Sequence, residues 1–225
     1  CKNKEYTIEP GDLLLFNHRD NHACEQIDGK TLDYRCINIQ PEIMSKAVFE
    51  ITGKAYLPYF TPQVVFHSEL VAVLRELHQI IMEEEKDFRK EEIFFFLLEQ
   101  LIEEYTEQAM PTENAGQSTE ARAICEFLEK HYMENITLDD LCKLTGLSKY
   151  YLLRSFTKQK GISPYSYLET IRIDHAKKML EQGILPIDVA FQTGFTDQSH
   201  FSNFFKKFIG LTPKQYMNIF KDNHF

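Results

Sequence analysis

Asp140-Leu141-Cys142-Lys143-Leu144-Thr145-Gly146-Leu147 recurs 48 positions later as Asp188-Val189-Ala190-Phe191-Gln192-Thr193-Gly194-Phe195. The Asp, a small residue, the Thr-Gly step and the large apolar residue are kept. After one extra residue, Thr196, the offset becomes 49. Leu152 then answers to Phe201, Phe156 to Phe205, Lys158 to Lys207, and Gly161-Ile162-Ser163-Pro164-x-x-Tyr167 to Gly210-Leu211-Thr212-Pro213-x-x-Tyr216. A match of this length and order marks an internal duplication. Each copy reads as a helix-turn-helix: a short helix, a Gly where the turn needs positive φ, an apolar residue pinning the corner, then a longer helix. Ser148 and Asp197 stand where the second helix must begin, and both side chains suit an N-cap. The pairs Leu152/Phe156 and Phe201/Phe205, spaced i and i+4, mark its buried face. The opposite face is expected to be exposed, presenting Lys149, Tyr150, Leu153, Arg154 and Lys158 in the first copy and Gln198, Ser199, Asn203 and Lys206 in the second.

Between the copies runs Pro164 to Glu181, with Pro in the first turn, the apolar stripe Leu168, Ile171, Ala176, Met179 and Leu180, and Gly183 beyond. One continuous helix is expected here. At about 1.5 Å per residue it spans about 27 Å, comparable with the roughly 34 Å between successive major-groove faces of B-DNA. Two recognition helices on such a spacer can enter adjacent grooves from one side of the duplex.

Ser163-Pro164-x-x-Tyr167-Leu168-x-x-x-Arg172-Ile173-x-x-Ala176-Lys177-x-x-Leu180, then Val189-Ala190-x-x-x-Gly194-Phe195-x-x-x-Ser199-x-Phe201-Ser202-x-x-Phe205-Lys206-Lys207, then Gly210-Leu211-Thr212-Pro213-x-x-Tyr216, closely resembles the arabinose-operon-regulator (AraC/XylS-type) family of bacterial transcription factors. The resemblance covers about 100 residues. It implies a seven-helix domain that binds asymmetric sites in double-stranded promoter DNA, usually as an activator touching RNA polymerase. By position the family's recognition-helix contacts fall on Tyr150, Tyr151, Leu153 and Arg154, and on Gln198, Ser199, His200 and Asn203, with Lys149, Lys158, Lys206 and Lys207 completing the expected DNA-binding set. Asn203 stands where the family usually has Arg, and Met217 replaces the Arg that commonly follows the final Tyr. Arg tends to read guanine and phosphate whereas Asn suits adenine, so base preference does not transfer.

The front half alternates short apolar runs with turn chemistry from Tyr6 to Ile39, which reads as a β region with a hairpin at Asp28-Gly29. Glu9-Pro10-Gly11-Asp12-Leu13-Leu14-Leu15-Phe16, followed by His22 and a closing strand through Ile39, resembles the same family's ligand-binding cupin domain. That implies a small-molecule effector, with His22 as a pocket residue. Strands expected before Tyr6 are missing and the chain begins Cys1-Lys2-Asn3, so it reads as a trimmed chain holding part of a barrel. From His67 the period changes: Leu70, Leu74, Leu77 and Ile81 line one helix, and Phe94, Leu97, Leu98, Leu101, Ile102 and Tyr105 line a second after Lys86. So much apolar surface on a helix pair points to a homodimer. Met110 to Ser118 is polar, broken by Pro and Gly, and aperiodic. The expected plan is α+β: a partial cupin-like region over 1–66, a dimerising helix pair over 67–109, a linker over 110–117 and an all-α double helix-turn-helix domain over 118–225.

The net charge of −9 seems to oppose a nucleic-acid partner, but it is unevenly placed. Up to Gln117 there are 11 basic and 22 acidic residues, and beyond it 14 and 12. Binding follows the local field, so the near-neutral second part remains admissible. The five cysteines are odd in number and lack a C-x-x-C pair, which fits reduced thiols in the cytoplasm. No apolar run is long enough to cross a membrane, and no leader pattern is seen. No P-loop, G-x-S-x-G, G-x-G-x-x-G or H-E-x-x-H occurs. His18 and His22 invite a metal reading, but the clustered partners that cupin metalloenzymes use are missing, so neither metal nor cofactor is expected and the chain is read as a non-enzyme. Cys125 and Cys142 read as core, which argues against a DNA alkylation-repair protein with a reactive Cys. The rivals are a cupin-type metalloenzyme with a helical tail and a helical protein-interaction module.

Overall fold

A computed structural model describes residues 5–18, 20, 34–83, 88–107 and 118–221. The described residues form two compact units.

In the first unit, strand β1 (Leu13–Leu14) pairs antiparallel with β2 (Val64–Val65), with Leu13 opposite Val65 and Leu14 opposite Val64. The pairing extends beyond the strands themselves. Leu15 N–H donates to Gln63 O at 3.0 Å, and the buried Asn17 side chain takes both backbone groups of Phe60, accepting from its N–H at 2.7 Å and donating to its carbonyl at 3.0 Å. An amide side chain thus continues the ladder where the backbones diverge, so the buried polar groups stay satisfied. Asp12 ties the preceding turn, accepting from the backbone N–H of Glu9 and of His67. These bonds hold its carboxyl below the usual carboxylate range, the one from Glu9 most strongly.

Three helices complete this unit: α1 (Pro41–Thr52), α2 (Leu70–Met82) and α3 (Arg89–Tyr105). Pro41 begins α1 and Gly53, at φ 73°, ends it, while Ala47, Val48 and Ile51 bury its inner face. Helices α2 and α3 pack on each other, and α1 packs on α3. An ion pair between Arg89 and Glu76 joins α3 to α2. Leu13, Leu15, Phe60, Leu70, Leu77 and Leu97 form the core, with Ile37 packed against it.

Several expectations are corrected here. The unit is mainly helical, with two short strands among the described residues and a third helix, α1, besides the expected pair. Tyr34 to Ile39 forms no strand among them, because nothing described pairs with its backbone, although Ile37 reaches the core. In α2 the buried side chain of the last turn is Ile80, while Ile81 is 46% exposed. The hairpin at Asp28-Gly29, His22 and the segment 110–117 lie outside the described residues.

The second unit contains seven helices among its described residues: α4 (Ser118–His131), α5 (Leu138–Thr145), α6 (Lys149–Lys160), α7 (Pro164–Glu181), α8 (Pro186–Gln192), α9 (Gln198–Ile209) and α10 (Pro213–Lys221). Helix α7 has the bounds that its Pro and apolar stripe dictate, capped by Ser163, whose side chain accepts from Ser166 N–H. It packs on α4 and α6 on one side of the chain order and on α8 and α10 on the other. One rod therefore serves two bundles. Around its C-terminal half, Ile173, Ala176, Leu180, Val189, Ala190, Phe195, Phe201, Phe204, Phe205 and Met217 form a continuous core. Met217, which departs from the family pattern, is only 3% exposed and belongs to that core. No helix among the described residues is long and apolar enough to cross a membrane.

Candidate nucleic-acid interface

Each unit of the duplication is held by local chemistry written into its sequence. Helix α5 starts in a capping box: Thr137 Oγ1 accepts from Asp140 N–H, and the Asp140 carboxylate accepts from Thr137 N–H at 3.0 Å. The Thr137 hydroxyl and N–H hold the Asp140 carboxyl below its ordinary range, with Lys143 adding a smaller charge effect. Such a box satisfies two of the N–H groups a helix start leaves open. Gly146, at φ 72°, closes α5 in the left-handed region, where a side chain would be strained. Ser148 then accepts from Tyr151 N–H to cap α6. In the second copy Asp197 accepts from His200 N–H at 2.8 Å to cap α9. The chain thus reverses within three residues in one copy and a few more in the other, which orients the second helix of each unit.

The inner faces match across the copies. Phe156 meets Tyr167 edge to face at 5.9 Å, and Phe205 meets Tyr216 in the same way at 5.4 Å. Each of these tyrosines then donates its hydroxyl to a glutamate near the end of the helix that precedes its unit: Tyr167 to Glu129 at 2.6 Å, Tyr216 to Glu181 at 2.7 Å. The bond to Glu129, aided by burial, raises the Tyr167 phenol, and burial together with Glu181 pushes Tyr216 up to about 12. The duplication therefore preserves a ring contact and a hydroxyl latch, not only a residue pattern.

The outer faces differ. In α9, Gln198, Ser199, Asn203, Lys206 and Lys207 are exposed and His200 is partly exposed, its ring against Phe195 at 5.5 Å. In α6 the expected exposed face is corrected in two places. Tyr150 is 6% exposed and Leu153 fully buried. Helix α6 packs against α4, α5 and α7, so its buried arc is wider than the Leu152/Phe156 stripe alone suggests. Leu153 is a core residue and cannot touch a duplex with its side chain. Tyr150 instead supports its neighbour: Arg154 donates to its hydroxyl at 2.7 Å and lies 5.9 Å from its ring centroid. Of the expected face, α6 leaves Tyr151 and Arg154 partly exposed and Lys158 exposed, with Gln159 and Lys160 exposed beyond them. Lys149 is partly covered and pairs with Asp139 at 3.1 Å.

Residues 141–219 match a family described as a helix-turn-helix domain, and residues 1–98 match an AraC-like ligand-binding domain. An uncharacterised HTH-type transcriptional regulator of Bacillus subtilis, YbfI, is 63% identical over 200 residues, covering 89% of this chain and 73% of that protein. An uncharacterised HTH-type transcriptional regulator of Staphylococcus aureus, SAS0078, is 27% identical over 92% of this chain, which spans 28% of that longer protein. The C-terminal domain of AraT, a response regulator from Geobacillus stearothermophilus, aligns with 45% of this chain and 86% of its own at 32% identity and a TM-score of 0.43. The chain belongs to the AraC-type family of HTH transcriptional regulators. Within it, this is a DNA-binding transcription regulator that carries a ligand-binding domain.

Proposed function

We propose that one chain grips one stretch of double-stranded promoter DNA at two places, with α6 in one major groove and α9 in the next. The observation that carries this reading is that cap, turn, inner ring and tyrosine latch are built twice on one 18-residue helix, leaving polar and cationic side chains outward on both second helices. In the first groove Arg154 offers the planar fork that suits guanine, with Tyr151 beside it. In the second, Gln198 and Asn203 suit adenine, while Ser199 supplies a further hydrogen bond near the helix start. The expected contact from His200 is corrected, because both its ring nitrogens are buried and its ring packs on Phe195. Lys158, Lys206 and Lys207 serve the phosphates. Lys149 joins them by exchanging Asp139 for a phosphate, because a surface pair of this kind is worth at most about 1 kcal/mol.

The region 1–66 takes a small-molecule effector, with His22 in its pocket, and the helix pair within 67–109 joins two chains into a homodimer. The segment 110–117 connects these to the double helix-turn-helix domain of 118–225. The regulator acts in the cytoplasm as a ligand-responsive activator that contacts RNA polymerase at its promoters. It needs no cofactor or metal and catalyses no reaction.

The test is a mobility-shift titration of the chain on promoter DNA from its parent operon at several salt concentrations. With about four lysine contacts to phosphate, log K should fall with log salt at a slope of about −3 to −4. Absent retention, or retention that salt does not weaken, contradicts the proposal.

A further inference from the structure

Helix α7 is not the sole connection between the two helix-turn-helix units. At its middle Arg172 is 3% exposed, and its guanidinium reaches into the segment joining α4 to α5. Nε donates to Tyr132 O at 2.9 Å and Nη2 to Glu134 O at 3.2 Å. The same guanidinium lies 5.9 Å from the ring centroid of Phe195, the residue that pins the turn of the second unit. Phe195 in turn packs on His200 and Phe201 in the first turn of α9, at 5.5 and 5.1 Å. The approach is close enough to exclude a side chain at the neighbouring turn residue. A Cβ on Gly194 would stand 2.7 Å from Tyr132 O and 3.1 Å from Arg172 Nε and Nη2. One turn further along α7, His175 stacks on Tyr132 at 4.0 Å with the rings 7° from parallel.

We propose that Arg172 is the positioning residue that fixes the orientation of α9 relative to α6, and so sets the spacing between two half-sites that this regulator accepts. The inference rests on the reading above that both helices enter one duplex. Two bundles joined by a rod alone could twist about it. A planar fork bound to two carbonyls of the first unit and laid against the corner ring of the second removes that freedom, because charge-assisted bonds from a guanidinium are directional. DNA is sensitive to this freedom. Adding one base pair between half-sites moves one of them by about 3.4 Å and rotates it by about 35°. A rigid pair of units rejects that change and a loose pair tolerates it.

The experiment is a binding selection from a random 40-base-pair duplex library with the full chain, comparing the native protein with Arg172→Lys and Phe195→Leu. Lysine keeps the charge but loses the fork, and leucine keeps an apolar corner but loses the ring. Thermal unfolding establishes which variants are folded, and one folded variant suffices. The native chain is expected to enrich two half-motifs at a single spacing and to lose about tenfold or more in affinity when one base pair is inserted. A folded variant is expected to enrich the same half-motifs over several spacings and to lose less than about threefold on the same insertion. Lower stability alone would reduce the active fraction without broadening the spacing, so the profile separates positioning from a general structural role. A folded variant with the native single spacing overturns the inference while leaving the two-groove reading intact. A native chain that enriches only one half-motif overturns the two-groove reading and this inference with it.

Discussion

Arg154 Nη1 donates a 2.7 Å hydrogen bond to the hydroxyl of Tyr150, one helical turn earlier, and the two side chains lie along the same edge of α6. Tyr150 is buried and Arg154 half-exposed, so the tyrosine is a fixed bracket for the group proposed to enter the groove. Arg154→Ala is expected to weaken binding to a selected site by about 1–3 kcal/mol and to relax the preference at one base position. Tyr150→Phe keeps the ring and removes one bond, and should cost about 0.5–1.5 kcal/mol in binding. Anisotropy titrations on the native site and on single-base variants check both. Unchanged affinity and unchanged base preference for Arg154→Ala would remove that side chain from the interface.

Leu153 lies next to Arg154 but faces the interior, and the two substitutions should separate cleanly. Leu153→Ala is expected to destabilise the domain by about 2–5 kcal/mol, the range for truncating a buried leucine. Base preference of the folded fraction should not move. Urea denaturation read beside a binding selection decides the matter, and a shifted base preference at full stability would return Leu153 to the DNA-facing set.

The Thr137–Asp140 box predicts a dependence on acid. Because bonds from Thr137 hold the Asp140 carboxyl below its unfolded value of about 3.9, its contribution is present above that pH and disappears as pH falls through the lower folded value. Asp140→Ala should lower stability by about 1 kcal/mol near neutrality, as loss of a helix-start cap does. Denaturation curves from pH 7 down to about pH 3 should show the gap between native and variant closing. A gap that widens in acid contradicts the assignment.

At the other end of the pH range the Tyr216 latch should persist. Its phenol is raised to about 12, so the bond to Glu181 is present below the unfolded value of about 10 and lost as pH rises through about 12. Replacing Tyr216 by Phe should cost about 0.5–1.5 kcal/mol at neutral pH and remove one late-titrating phenol from the ultraviolet alkaline titration. A variant whose titration matches the native one would show that the phenol near 12 belongs elsewhere.

Much of the second unit could be read from its residues because its signals are local and repeated. Pro164 and the apolar stripe set the bounds of α7, and Ser148 and Asp197 cap the helices they were expected to cap. The outward face of α6 is narrower than the stripe of Leu152 and Phe156 implies, because three helices surround α6. The duplication held a corrective signal. At the offset of 49, Tyr150 and Leu153 correspond to Ser199 and Ser202, so the first copy carries large side chains where the second has small polar ones. The role of Arg172 is not legible in the sequence, since nothing local to α7 reveals a partner 40 residues earlier. In the first unit β1 pairs with residues about 50 positions away, with no tight turn between them to announce the match. Helix α1 did leave a trace, in Pro41 at its start, Gly53 at its end and apolar residues at Ala47, Val48 and Ile51.

Hydroxyl-radical footprinting of the chain on a duplex it selects, at one chain bound per duplex, tests the two-groove grip most directly. The account predicts two protected patches about 10 base pairs apart on one face of the DNA. A single patch, or a second patch that forms only when a second chain binds, would contradict it.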